Sequence, residues 1–186
     1  MVMAEATNHY FKHLGVSDGL SQVCIPSIYQ DELGAVWLGT TEGLNRYNGK
    51  DVRVFQPSES NHGLTNNEIN ELCGDKNGRM YIRSGNDLIK LDIYTEQFTC
   101  LRQKGVYGLF CKKDTLWVSC ADGIYYYTGQ GTELTFFARV QKGFVGRALY
   151  VDRETVWVVT RKYLVAISRE DPLRQEILLT LDKGNC

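Results

Sequence analysis

Few side chains in this sequence stand at spacings that perform chemistry unaided. Six cysteines, at 24, 73, 100, 111, 120 and 186, form no Cys-x-x-Cys pair and have no clustered histidine, which argues against a zinc site or a redox dithiol motif. Most lie in apolar, strand-like runs, where cysteine packs as a small hydrophobe, so they read as buried free thiols. His9 and His13 are four residues apart, a metal-ligand spacing on a helix. On a strand rising about 3.3 Å per residue they share a face but stand about 13 Å apart, and no metal is expected there. Gly-x-Ser-x-Gly, phosphate-loop and His-Glu-x-x-His patterns are missing. The 22 acidic residues offer many carboxylate pairs for glycoside hydrolysis, yet no motif selects one. The reading is of a protein that is not an enzyme, with no catalytic residue, metal or cofactor.

What the sequence does offer is hydrogen-bonding groups on loops. The longest polar insertion, QPSESNHGLTNNE, carries Asn61, His62, Asn66 and Asn67. Shorter turns add Glu42, Asn86, Asp87, Asp122 and Arg161. Amides and carboxylates of this kind suit a hydroxyl-rich ligand such as a sugar, and an exposed Tyr126 or Phe144 would stack on it. These nine residues are the candidate ligand-binding set, provided that the fold carries their loops to one place.

The positioning elements emerge from self-similarity. SIYQDELGAVWLGTTEGLNRYNG, ELCGDKNGRMYIRSGNDLIKLDI, GLFCKKDTLWVSCADGIYYYTG and ALYVDRETVWVVTRKYLVAIS align on Trp37, Tyr81, Trp117 and Trp157, which are 44, 36 and 40 residues apart. A period near 40 with four short strands per unit describes a β-propeller blade. In the first unit, Asp31-Glu32-Leu33-Gly34 turns strand a into strand b, and Thr41-Glu42-Gly43 turns b into c. Asn48-Gly49 then signals a two-residue hairpin into strand d. The predicted fold is all-β, with about four blades of four antiparallel strands, either part of a propeller or one completed by association.

The blades span 23–60, 61–104, 105–142 and 143–182, after a disordered stretch at 1–8 and a lead-in at 9–22, with a tail at 183–186. Tyr10 to Leu14 resembles a strand d without its blade, as expected where a ring closes on its last sheet. Leu173 to Leu181 suits a helix or an outer strand d equally. Because the anchors recur at one strand position, they read as inter-blade core, and Asp31 and Asp75 as turn caps. The connection from d to the next a and the b–c turn should share one face, which would gather the candidate residues.

Composition limits the partners. Net charge is −1, which gives no basic surface for nucleic acid or an anionic membrane. Lys112-Lys113 and Arg161-Lys162 are isolated pairs. No apolar run approaches the ~18 residues of a membrane helix, and Met1 to Thr7 show no secretion signal.

The pattern D-x-x-G-x-φ-W-φ-G-T-x-x-G-L-x-x-Y (φ, hydrophobic), intact from Asp31 to Tyr47, resembles the two-component regulator propeller repeat. FKHLGVSDGLSQ ahead of it is similar to the first repeat of sensors in Bacteroides-type hybrid two-component systems. Later repeats depart: Tyr81 replaces tryptophan, Arg83-Ser84 and Ser119-Cys120 replace Gly-Thr, and the fourth lacks the Asp-x-x-Gly turn. The resemblance implies a periplasmic, oligosaccharide-sensing propeller ahead of a membrane helix and kinase that this chain does not contain. Its partners would be a glycan, and a second copy or further blades. The alternative is a structural module whose blades bind protein and no glycan.

Overall fold

The computed structural model describes residues 13–58, 63–140 and 145–180. It contains four separate antiparallel sheets, each formed by four strands in chain order. Blade 1 comprises β1 (Ser27–Gln30), β2 (Val36–Thr40), β3 (Gly43–Tyr47) and β4 (Val52–Phe55). Blade 2 comprises β5 (Ile69–Gly74), β6 (Arg79–Ser84), β7 (Asp87–Asp92) and β8 (Gln97–Arg102). Blade 3 comprises β9 (Val106–Lys112), β10 (Thr115–Cys120), β11 (Gly123–Tyr127) and β12 (Thr135–Ala138). Blade 4 comprises β13 (Val145–Val151), β14 (Thr155–Thr160), β15 (Tyr163–Ser168) and β16 (Gln175–Thr180). The fold is therefore the all-β, four-bladed arrangement that the repeat predicts. The segment that suited helix or strand is the outer strand β16. Of the proposed orphan strand, residues 10–12 lie outside the described residues, and His13 and Leu14 are in neither helix nor strand.

Turn chemistry explains the strand boundaries. In blade 1 the Asp31 carboxylate accepts the N–H groups of Leu33 (3.0 Å) and Ala35 (2.8 Å), tying the a–b reversal. Its second oxygen accepts the Trp37 indole N–H at 2.7 Å, so one buried carboxylate fixes both the turn and the anchor. Blade 4 has no Asp-x-x-Gly sequence, yet Asp152 makes the same set, to Glu154 N (2.9 Å), Thr155 N (2.8 Å) and the Trp157 indole (2.7 Å). Blade 2 has a tyrosine anchor without a ring N–H. Asp75 caps Asn77 N at 2.8 Å there and turns its other oxygen to the Arg79 guanidinium, 2.5 Å away. Asn48-Gly49 opens a four-residue loop rather than a two-residue hairpin. The Asn48 amide oxygen accepts the N–H groups of both Lys50 (2.9 Å) and Asp51 (2.8 Å), an Asx turn that takes two more residues to close.

Apolar cores form between the sheets. One joins Trp37, Leu44 and Phe55 of blade 1 to Leu72, Met80 and Ile82 of blade 2. A second joins Tyr81 and Leu88 to Leu109, Leu116 and Val118 of blade 3. The third joins Trp117 and Ile124 to Leu149, Val156, Val158 and Val165 of blade 4. The innermost strands pack in sequence, β1 on β5, β5 on β9 and β9 on β13, with no comparable contact between β13 and β1 among the described residues. The blades thus form an open arc. Close approach is built in at Gly39, where an added Cβ would stand 2.8 Å from the Ile69 side chain and 3.0 Å from its carbonyl oxygen.

Burial of the anchors follows the arc. Trp37 and Tyr81 are 0% exposed and Trp117 is 4% exposed, each covered by the following blade. Trp157, expected in an inter-blade core like the others, is half-buried, because no further sheet covers its face of blade 4 among the described residues. The same face exposes Leu179 (54%), while the ring of Tyr150 meets Phe110 of blade 3 at 5.1 Å. At the other end, Leu20 and Ser21 of the lead-in cover part of blade 1, Ser21 N donating to the buried Asn45 amide oxygen at 2.9 Å.

Candidate functional site

Alternating antiparallel strands put every b–c turn and every d–a connection at one end of the blades. The structure laces these loops together through the backbone. Gly43 N of the first b–c turn donates to Asn67 O (2.8 Å), and Gly85 N of the second donates to Glu68 O (2.7 Å) on the same connection. The next connection repeats the arrangement, with Val106 N to Asn86 O (3.0 Å) and Ala121 N to Gly105 O (2.8 Å). The connections into blades 2 and 3 are therefore each tied to the b–c turns of two successive blades. A loop face held this way keeps its side chains in fixed relation, as a binding surface requires.

On this face the structure places Glu42, Asn66, Asn67, Asn86, Asp87, Asp122 and Arg161; Asn61 and His62 lie outside the described residues. They are not equivalent. The Asn66 side chain caps Glu68 N at 2.9 Å, and its backbone exchanges two bonds with the Ser84 hydroxyl. Asp87 accepts Lys104 N at 2.6 Å, which holds the connection into blade 3. Asp122 accepts from the Arg102 guanidinium and the Tyr125 hydroxyl, both at 2.8 Å, while Arg102 lies 4.6 Å over the Tyr125 ring. Burial alone would raise the Asp122 carboxyl; the Tyr125 and Arg102 hydrogen bonds overcome it and hold the group below the ordinary aspartate range. Glu42, Asn67, Asn86 and Arg161 are exposed, and the side chains of the first three have no partner among the described residues. Arg161 sits on a turn tied by the Thr160 hydroxyl, which accepts Lys162 N (3.2 Å) and Tyr163 N (2.9 Å).

The stacking residue expected at Tyr126 is corrected. Tyr126 is opposite Trp117 in the β10–β11 register, 5.6 Å between rings, so its side chain belongs to the core between blades 3 and 4. Phe144 lies outside the described residues. The cysteine reading also changes, since Cys24 is exposed and only Cys120 is fully buried among the described cysteines.

A charged pair behind the loop face was not foreseen. Arg83 stands where blade 1 has Gly39, and its guanidinium faces Glu71 at 3.4 Å while also bonding Gly85 O at 3.1 Å. Glu71 accepts Leu109 N of blade 3 at 3.1 Å. Burial pushes the Glu71 carboxyl above its ordinary value, against the lowering by Leu109 N–H and Arg83. The visible sequence signal was the departure from Gly-Thr at Arg83-Ser84. The opposite end carries a cleft of about 570 Å³ between blades 3 and 4, lined by Lys112, Lys113, Asp114, Trp117, Arg153 and Arg169, which none of the candidate residues enters. No cluster of three potential metal ligands occurs among the described residues, nor any helix long and apolar enough to cross a membrane.

Fold and loop face together define an open arc of β-propeller blades with a polar, hydrogen-bonded loop end. Residues 19–42 match the two component regulator propeller family, which places that repeat in blade 1 and its lead-in. Over 53 residues the chain is 38% identical to Histidine kinase P4 of Formosa agariphila, a match covering 28% of this chain and 4% of that protein. The extracellular domain of a hybrid two-component system from B. thetaiotaomicron superposes with a TM-score of 0.74 at 21% identity, over 90% of this chain and 26% of that one. A computationally designed protein, Ika4, superposes with a TM-score of 0.52 at 14% identity, over 95% of this chain and 98% of its own. The chain thus spans a small fraction of these two natural proteins and nearly the whole of the designed one.

Proposed function

We propose that this chain is a ligand-sensing propeller region of a two-component signal transduction sensor, non-catalytic and periplasmic, and that its ligand is an oligosaccharide. The observation that carries the reading is the coincidence of the regulator-propeller repeat in blade 1 with a loop face whose connections are clamped blade to blade. Exposed Glu42, Asn67, Asn86 and Arg161 supply donors and acceptors for sugar hydroxyls, on backbone that is already ordered. A ligand spanning two connections would favour one setting of neighbouring blades, or one arrangement of two copies, in proportion to its preference for that state. Calorimetric titration of the chain against plant, fungal and host oligosaccharides tests this. Saturable binding by one glycan class, weakened by Asn67→Ala and Asn86→Ala, supports the reading; no binding by a folded sample overturns it.

The free face of blade 4 favours a second reading, a structural module that binds protein. Half-buried Trp157 and exposed Leu179 are an apolar surface of the kind that blades elsewhere in the chain cover. A second copy or further blades would cover it. Sedimentation separates the cases, because a 21.2 kDa monomer at all concentrations contradicts self-association through this face.

A further inference from the structure

Cys73 and Cys111 belong to different blades, yet their sulfur atoms are in contact at 2.7 Å. Cys73 is on β5 and Cys111 on β9, the innermost strands of blades 2 and 3, which pack side by side. The meeting is set by register. Two residues earlier on each strand, Glu71 accepts Leu109 N at 3.1 Å, and both pairs are separated by the same 38 residues. The Glu71 bond therefore pins the alignment that brings the two thiols face to face. No other pair of cysteine sulfurs is in contact among the described residues.

We propose that Cys73 and Cys111 are a disulfide site, an oxidative staple between blades 2 and 3. The oxidant is a disulfide donor, a small molecule or a protein. The Cys111 thiolate attacks one donor sulfur, breaking the donor S–S bond, releasing one donor thiol and leaving a mixed disulfide on Cys111. The Cys73 thiolate then attacks the Cys111 sulfur, forming the Cys73–Cys111 bond and expelling the second donor thiol. Two protein thiols are oxidised, one donor disulfide is reduced, and the two protons leave on the donor thiols. Burial pushes the Cys73 thiol up, so its attack on the mixed disulfide quickens as pH rises. The staple goes beyond the sensing proposal and does not depend on any glycan, although disulfides persist best outside the cytoplasm.

The test oxidises the full chain with glutathione disulfide, blocks remaining thiols with iodoacetamide, and maps tryptic peptides without reduction. The expected result is a linkage between the peptides holding Cys73 and Cys111, reversed by dithiothreitol and faster at about pH 8.5, the value of an ordinary thiol, than at about pH 7, where few thiols are ionised. Closing so long a loop should raise the unfolding midpoint by on the order of 10 °C, an increase absent in Cys111→Ser and in Cys73→Ala. Full alkylation of both residues after oxidation, or linkage of either to another cysteine, would overturn the proposal.

Discussion

Strands β10 and β14 are the same element of successive blades, and their burial differs. From Leu116 to Cys120 every residue of β10 is buried, whereas β14 alternates, with Val156, Val158 and Thr160 buried and Thr155, Trp157 and Val159 half-buried. The two sequences, TLWVSC and TVWVVT, do not foretell this. What separates them is the presence of a following blade, so burial along a b strand depends on the sheet beside it and not on the strand's own apolar content. The Asp–Trp bond makes the same point locally. Asp31 to Trp37 and Asp152 to Trp157 both measure 2.7 Å, but only the first pair lies in an inter-blade core.

The comparison is most easily broken at the anchors. Trp37→Ala should cost about 3 to 5 kcal/mol, since a fully buried aromatic leaves a cavity that rigid sheets fill poorly. Trp157→Ala should cost about 1 to 2 kcal/mol, in line with its smaller buried area. Thermal unfolding of both variants checks the difference, and equal losses would mean that blade 4 is covered as blade 1 is. At the next position of the same strand face, Gly39→Ala should destabilise by about 1 to 3 kcal/mol, because its Cβ meets Ile69. Val159→Ala, facing no further sheet, should cost under about 1 kcal/mol.

Acid sharpens the contrast through two carboxyls of opposite sign. Asp152 is held below its ordinary range first by the Trp157 indole and then by two backbone N–H groups. Its contribution is present above the unfolded-state pKa and is lost as pH falls through the lowered folded value. Glu71 is raised by burial, so its charge weakens the fold above the raised value, and stability is regained as pH falls through it. Unfolding midpoints measured from about pH 7 down to about pH 2 should fall more steeply with acid in Glu71→Gln than in the parent chain as Glu71 titrates. Asp152→Asn should flatten the decline. The smallest effect is expected at Tyr81, whose fully buried hydroxyl has no hydrogen-bond partner among the described residues. Tyr81→Phe should be neutral or stabilising by up to about 1 kcal/mol in the same assay.

These differences also mark what was legible in the sequence. Turn residues write their geometry locally: Asp31 announced its reversal because the bonds it accepts lie within six positions, and Gly43 and Gly85 announced theirs because both take positive φ. Asn48-Gly49 announced the right turn but not its length, which the Asn48 side chain decides. Contacts between blades were harder to read. Tyr126 looked available for stacking until its register opposite Trp117 assigned it to a core. Glu71 and Arg83 are ordinary charges in sequence, and only the arrival of Leu109 from blade 3 explains their burial. Of the candidate site, the common face follows from strand alternation, whereas the engagement of Asp87 with Lys104 and of Asp122 with Arg102 depends on loop paths that no motif records.

The division of labour between loop face and blade edge is tested most directly by hydrogen–deuterium exchange of the chain with and without a glycan identified by calorimetry. Protection confined to the b–c turns and d–a connections, at 41–43, 66–68, 85–87 and 121–123, with β16 unchanged, is the predicted result. Protection of β16 and the blade 4 edge, with the loop face unaffected, would contradict the account.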